Sequence, residues 1–262
     1  MPDASAPTDD YPIWGYGSPA MYRRRWAMIE PHLEDRPFVL VDWGSDAGWF
    51  SVRIAETFPR AEVVSVDAGI MTGGAGIAEH RRRLAERGLT NNRIVDALFG
   101  PDTFDGLAAV PADYQLVLSV FHHMGNGFGR YLDTVEEWDA AFRALVRGAA
   151  VTFFEVPNED AEAETPQRIR RWYAGRTVEA TLRAALERGG LGATVEELGE
   201  SPHGEKGTRK LFKITCAEPP KAASPEAIAA YVAKAGQTAK PRLYRRLRMW
   251  AGDLKRALLG RR

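Results

Sequence analysis

At 262 residues and 45% hydrophobic content, the chain can bury one sizeable core with an appendage, and its composition is ordinary for a globular protein. The single cysteine, Cys216, excludes an internal disulfide framework, and no segment approaches the roughly 20 apolar residues that span a bilayer. The formal net charge of zero conceals an asymmetry: residues 217–262 carry 11 Lys and Arg against 3 Asp and Glu, net +8, which leaves −8 on residues 1–216, and so acidic a body would repel a nucleic-acid backbone.

In chain order, the opening MPDASAPTDD is acidic with no apolar centre, so no leader is read and a cytoplasmic protein is expected. Residues 1–35, with YPIWGYGSPAMYRRRW, form a segment ahead of the first strand. PFVLVDWG reads as a buried strand, WFSVRIAETF as a helix, AEVVSVDAG as a strand and AGIAEHRRRLAERGL as a helix with an exposed basic face. NRIVDALFG, YQLVLSVFHH and AAVTFFEVP are three more strand-like runs, with the helical pattern of TVEEWDAAFRALVRG before the last. This alternation predicts an α/β, doubly wound, mostly parallel sheet with helices on both faces. After the helix TVEATLRAALERGG, the runs TVEELGES and RKLFKITC are too close for a parallel crossover and must pair antiparallel. AEPPKAASPEA reads as a linker, so the main domain is placed at 36–217 and a separate basic tail at 218–262. In that tail Leu243, Leu247, Trp250, Leu254 and Leu258 make one apolar stripe on a basic amphipathic helix. Such a helix at 242–262 is expected to dock on the inner face of a membrane, on the acidic body or on a partner helix.

The stretch VDWGSDAGWF, residues 41–50, ends the first strand in a glycine loop. Gly44 and Gly48 are four apart, with Asp46 and Trp49 where a dinucleotide fingerprint has glycines, and no Gly-Lys-Ser/Thr follows, so nucleotide-phosphate loops are poor matches. Asp67 ends the second strand 25 residues after Asp42, where a carboxylate accepts hydrogen bonds from two ribose hydroxyls. The expected ligand is a nucleoside with free ribose hydroxyls.

VLVDWGSDAGWFS, VVSVDAG, YQLVLSVFHHM and the closing hairpin together resemble the class I S-adenosylmethionine-dependent methyltransferases over roughly residues 36–216. The resemblance implies a Rossmann-like sheet of seven strands with the last antiparallel, and S-adenosyl-L-methionine as cofactor. It implies that the loop from Asp42 through Gly44, Ser45, Asp46 and Gly48 packs on the methionine part and that Asp67, with Ala68, holds the ribose. Ala97, Leu98 and Phe99 would flank the adenine, and the backbone at Ser119 and Val120 would meet the methionine ammonium. Asp46 stands where the family's loop commonly has its middle glycine; Asp tolerates a left-handed backbone better than most residues.

A hydroxyl acceptor needs a base, and His122 and His123 stand just beyond the fourth strand, at the edge where open parallel sheets expose their ligand site. Consecutive side chains point apart, so one histidine is expected to face the acceptor, with His123 ahead of His122. A sequential pair lacks the third ligand of a metal site, so no metal is expected. The resemblance implies that residues 1–35 and the insertion carrying Arg168, Arg170, Arg171, Trp172 and Tyr173 cover the substrate and cofactor, and the aromatic faces and guanidinium forks of this lid suit a sugar or an anionic group. The sequence therefore predicts O-methylation of a small molecule or glycan. Methylation of nucleic acid or protein, and S-adenosylmethionine binding without catalysis, are the alternatives; the sequence assigns no oligomeric state.

Overall fold

A computed structural model of the chain describes residues 18–70, 72–124, 132–160, 167–202 and 207–237. The expected tail helix at 242–262 lies outside the described residues.

The strands are β1 (Phe38–Trp43), β2 (Ala61–Asp67), β3 (Asn92–Asp96), β4 (Ala112–Leu118), β5 (Ala149–Glu155), β6 (Ala193–Pro202) and β7 (Thr208–Cys216). They form one seven-stranded sheet in the order β3-β2-β1-β4-β5-β7-β6. Pairings among β1 to β5 are parallel, and β7 runs antiparallel to both β5 and β6. Strand order reverses between β1 and β4, and the carboxyl edge at such a switch point is where open sheets of this kind leave a crevice.

The strands read as continuous apolar runs because both faces of the sheet are covered. Leu40, Val63, Leu116, Phe153 and Leu211 lie in one buried cluster. Their neighbours Val41, Val64, Val117, Phe154 and Phe212 lie in the other, as the two-residue repeat of a strand requires. Helices α1 (Pro19–Ile29) and α2 (Trp49–Thr57) cover the first face through Trp26, Ile29, Phe50 and Ile54. The remaining helices are α3 (Ala75–Glu86), α4 (Pro101–Phe104), α5 (Phe121–Met124), α6 (Val135–Val146), α7 (Gln167–Tyr173) and α8 (Val178–Arg188). The second face is covered chiefly by α6 to α8. Thr134 and Glu137 form a capping box at the start of α6, which fixes where that helix begins.

A ninth helix, α9, spans 225–237. Ile228 and Val232, four residues apart, are fully buried in the same cluster as Trp138 and Phe142, and the Tyr231 hydroxyl donates to the Thr103 carbonyl at 2.7 Å. The packed body therefore runs past the boundary expected near residue 218. No helix among the described residues is long and apolar enough to cross a membrane.

Candidate active site

The glycine loop sits at the carboxyl end of β1, and its amides are used within the fold. The Gly44 and Ser45 amides donate to the Val66 carbonyl at 2.8 and 3.2 Å, and the Gly48 amide donates to the Ser45 carbonyl at 2.8 Å. The Asp46 amide donates to Asp67 Oδ2 at 2.9 Å. A phosphate cradle needs free N–H groups aimed at the ligand, and these four are already engaged. Asp46 has φ +46°, a left-handed conformation that Asp tolerates better than most residues. Ser45 is buried, and its Oγ has no hydrogen-bond partner among the described residues. Asp67 accepts from Asp46 on one oxygen and from the Gly69 amide at 2.6 Å on the other, and each oxygen retains a lone pair for a further donor. Ala68 is half-buried beside it.

Helix α3 is the bed on which this loop lies. Gly76, His80 and Arg83 fall on one helical face, and all three are buried. A Cβ at Gly76 would meet Asp46 Oδ1 at 2.2 Å, and one at Gly48 would meet the His80 ring at 2.1 Å. Arg83 Nη1 donates to the Ala47 carbonyl at 2.9 Å. The basic face expected to be exposed is thus divided: Arg81 and Arg82 face solvent, while Arg83 is buried against the loop. Gly48, at φ +77°, is glycine because His80 covers it as well as because of its backbone. Beneath the loop runs a buried polar chain. Ser51 Oγ donates to Asp42 Oδ2 at 2.5 Å, and Ser65 Oγ lies 2.8 Å from both Ser51 Oγ and Asn92 Oδ1. Asn92 in turn stands 3.4 Å from His80 Nε2. Burial pushes Asp42 up to about 7 and His80 down to about 4. Asp46 is raised by burial and by the charge of Asp67.

Across the switch point, the turn after β4 closes on the loop: a Cβ at Gly44 would stand 2.4 Å from Val120 Cγ1. Ser119 has φ +59° and accepts hydrogen bonds from Arg25 Nη2 at 3.2 Å and Arg209 Nη1 at 2.6 Å. Glu155, at the end of β5 and fully buried, pairs with Arg25 at 2.5 Å and Arg209 at 3.7 Å. His122 is buried and His123 half-buried. Their rings do not point apart as expected but lie 4.0 Å between centroids, because α5 turns immediately after the strand. Burial and the nearby Arg209 charge lower the His123 pKa. Leu98 is buried, with Gly236 of α9 closely packed on its backbone and on Ala97. Phe99 packs on Trp43 with ring centroids 5.3 Å apart and the planes tilted by 48°.

The expected lid is corrected in part. Trp172 is fully buried, stacked on Trp138 at 5.8 Å, and donates Nε1–H to Asp139 at 2.8 Å. Tyr173 donates its hydroxyl to the Pro157 carbonyl at 2.6 Å. Both aromatics belong to the core, so Trp172 makes no acceptor surface. Arg171 is exposed and Arg170 half-buried, and the Arg168 side chain lies outside the described residues. Sequence reading missed Arg25, His80, Arg83, Glu155 and Arg209. Only Glu155 left a visible signal, an acid closing a buried strand as Asp67 does. No group of three His, Cys, Asp or Glu among the described residues could hold a metal.

No protein-family model matches the chain, and no curated protein matches it by sequence. Solved structures do match by fold. The bifunctional kinase-methyltransferase WbdD superposes with TM-score 0.51 at 18% identity, over 74% of this chain and 38% of that one. A second WbdD structure, at 2.2 Å, gives 0.50 at 18% identity over 75% and 38%. EvdMO1 gives 0.50 at 17% identity over 81% and 45%. The chain therefore spans less than half the length of each of these three structures.

Proposed function

Because this chain has the Rossmann-like fold of the class I S-adenosylmethionine-dependent methyltransferases, we propose that it is such an enzyme. In this reading S-adenosylmethionine binds along the carboxyl edge of β2, β1 and β4, and a hydroxyl of a small molecule or glycan is the acceptor. The observation that carries the cofactor reading is the state of the loop. Its amides are engaged, so it offers a phosphate little, yet it carries Asp46, lies against Asp67 and holds the unpartnered Ser45 Oγ. Acceptors and carboxylates suit a nucleoside that carries positive charge, and S-adenosylmethionine has both a sulfonium and an ammonium. Asp67 would hold the ribose, and Ser45, Asp46 and the turn at Ser119 would face the methionine end.

The cofactor supplies an electrophilic methyl group. What remains for the protein is to align the acceptor oxygen and take its proton. His123, half-buried beside Ser119 and Arg209 with its pKa lowered, is neutral at physiological pH and so able to accept that proton at an imidazole nitrogen. His122, more deeply buried against it, would hold the ring of its neighbour in place. Transfer of labelled methyl groups to a panel of hydroxylated acceptors tests the reading. Replacing His123 with Ala should cost about 100- to 10,000-fold in rate with cofactor affinity retained. Turnover near that of the wild type would remove His123 from the role of base.

The acidic body argues against nucleic acid as acceptor. Peripheral membrane contact through 242–262 is proposed from sequence pattern alone.

A further inference from the structure

The proposed chemistry uses Ser119 but leaves unexplained why so many charges are buried around it. Glu155 grips this residue twice: the Ser119 amide donates to the Glu155 carbonyl at 3.1 Å, and the Ser119 hydroxyl donates to Glu155 Oε1. The same hydroxyl accepts from Arg25 and Arg209. One donor and two acceptor positions are the full capacity of a serine hydroxyl, so this side chain is completely held. Held with it is a backbone at φ +59°, in a region that serine seldom enters. Such conformations persist where the surroundings over-determine them, and they cluster at functional sites.

Arg25 carries the hold to a third element. Its Nε donates to the buried Ser201 of β6 at 3.2 Å, and its Nη2 meets Glu155. One turn earlier on α1, Tyr22 packs 5.3 Å from Trp49 and 5.6 Å from Phe50, the residues that follow the glycine loop. Helix α1 thus bridges the crevice between β1 and β4, fixed on the β4 side by Glu155. In the proposed reading Asp67 holds the ribose at the end of β2, and the methionine part runs over β1 toward Ser119.

We propose that Glu155 is a positioning residue: it holds Ser119 in the left-handed conformation and anchors α1 through Arg25, so that both face the methionine end of the bound cofactor and neither faces its adenosine end. The proposal rests on the reading that the cleft binds S-adenosylmethionine.

The test is calorimetric titration of the full chain with two probes, S-adenosylhomocysteine and adenosine, the second lacking the amino-acid part. In Glu155→Gln the affinity for S-adenosylhomocysteine should fall about 10-fold or more, equivalent to about 1.4 kcal/mol, with adenosine affinity unchanged. Ser119→Ala removes the gripped hydroxyl and leaves all three buried charged residues in place; it should show the same ligand-selective loss and serves if Glu155→Gln does not fold. Equal weakening of both probes would reduce Glu155 to a purely structural role and overturn the proposal, as would no weakening of either. A wild-type chain that binds neither probe would overturn the cofactor reading and this inference with it, a result distinct from selective binding that Glu155→Gln leaves intact.

Discussion

On the β1 and β2 side of the crevice, the loop at 44–48 is held backbone first: its amides and carbonyls bond to main chain, to the Asp67 carboxylate and to the Arg83 guanidinium, and the uncharged ring of His80 packs on it. On the β4 and β5 side, Ser119 is held by three ionised side chains, Arg25, Glu155 and Arg209, all nearly inaccessible to solvent. The difference sets how each side should fail. A loop held at its backbone by many separate contacts gives way gradually when one of them is lost. A buried ion pair that loses one member leaves an uncompensated charge in a medium of low dielectric.

The largest effect should therefore come from the charged side. Replacing Arg25 with Met should cost about 3–5 kcal/mol of stability, the usual consequence of breaking a buried pair, as read by denaturant unfolding. A loss below about 1 kcal/mol, the scale of an exposed pair, would mean that Arg209 alone suffices for Glu155.

On the loop side, Gly48→Ala combines a left-handed backbone with a collision at the His80 ring, and should cost about 1–3 kcal/mol. The steric part should be recovered when His80→Ala is added, while the backbone part remains, so the two substitutions will not be additive. Additive losses would show that His80 is not what confines Gly48.

The smallest effect is a change of slope with pH. Asp42 rises from 3.8 to about 7 on folding, so the folded chain keeps a proton that the unfolded chain sheds, and this contribution to stability falls as pH climbs through that window. His80 drops from 6.5 to about 4. The unfolded chain then holds the extra proton, and the His80 contribution rises with pH over the same range. The two oppose each other. In His80→Gln, stability relative to wild type should decline between about pH 4.5 and 6.5, at most by about 1.4 kcal/mol per unit. Parallel profiles would remove His80 from this balance.

The same division decided what could be read from sequence. The loop side is local: a strand, a glycine loop and an acid 25 residues later lie close along the chain, and periodicity places them. The antiparallel closing strands were legible for the same reason, since too few residues separate them for any other pairing. The charged side joins α1, β4, β5, β6 and β7, with Arg25 and Ser201 separated by 176 residues. An arginine in a run such as MYRRRW reads as solvated until the fold shows which of the three turns inward. Trp172 misled for a related reason. Its arginine neighbours suggested a binding face, but Ile169, Trp172 and Tyr173 recur at the three- and four-residue spacing of a buried helical stripe, and all are buried. Packing of α9 was obscured by the proline-rich stretch before it, which signals a break in secondary structure but not the end of the core.

The central claim, that this crevice binds S-adenosylmethionine with its ribose on Asp67, is tested most directly by titrating S-adenosylhomocysteine into the wild type and Asp67→Ala, with adenosine as a parallel probe. Both ligands carry the ribose, so the account predicts that both lose about 1–3 kcal/mol of binding free energy in the variant, the cost of removing a charged hydrogen-bond partner, with the circular dichroism of the fold preserved. Failure of the wild type to bind S-adenosylhomocysteine, or equal affinity of the folded variant for both ligands, would contradict it.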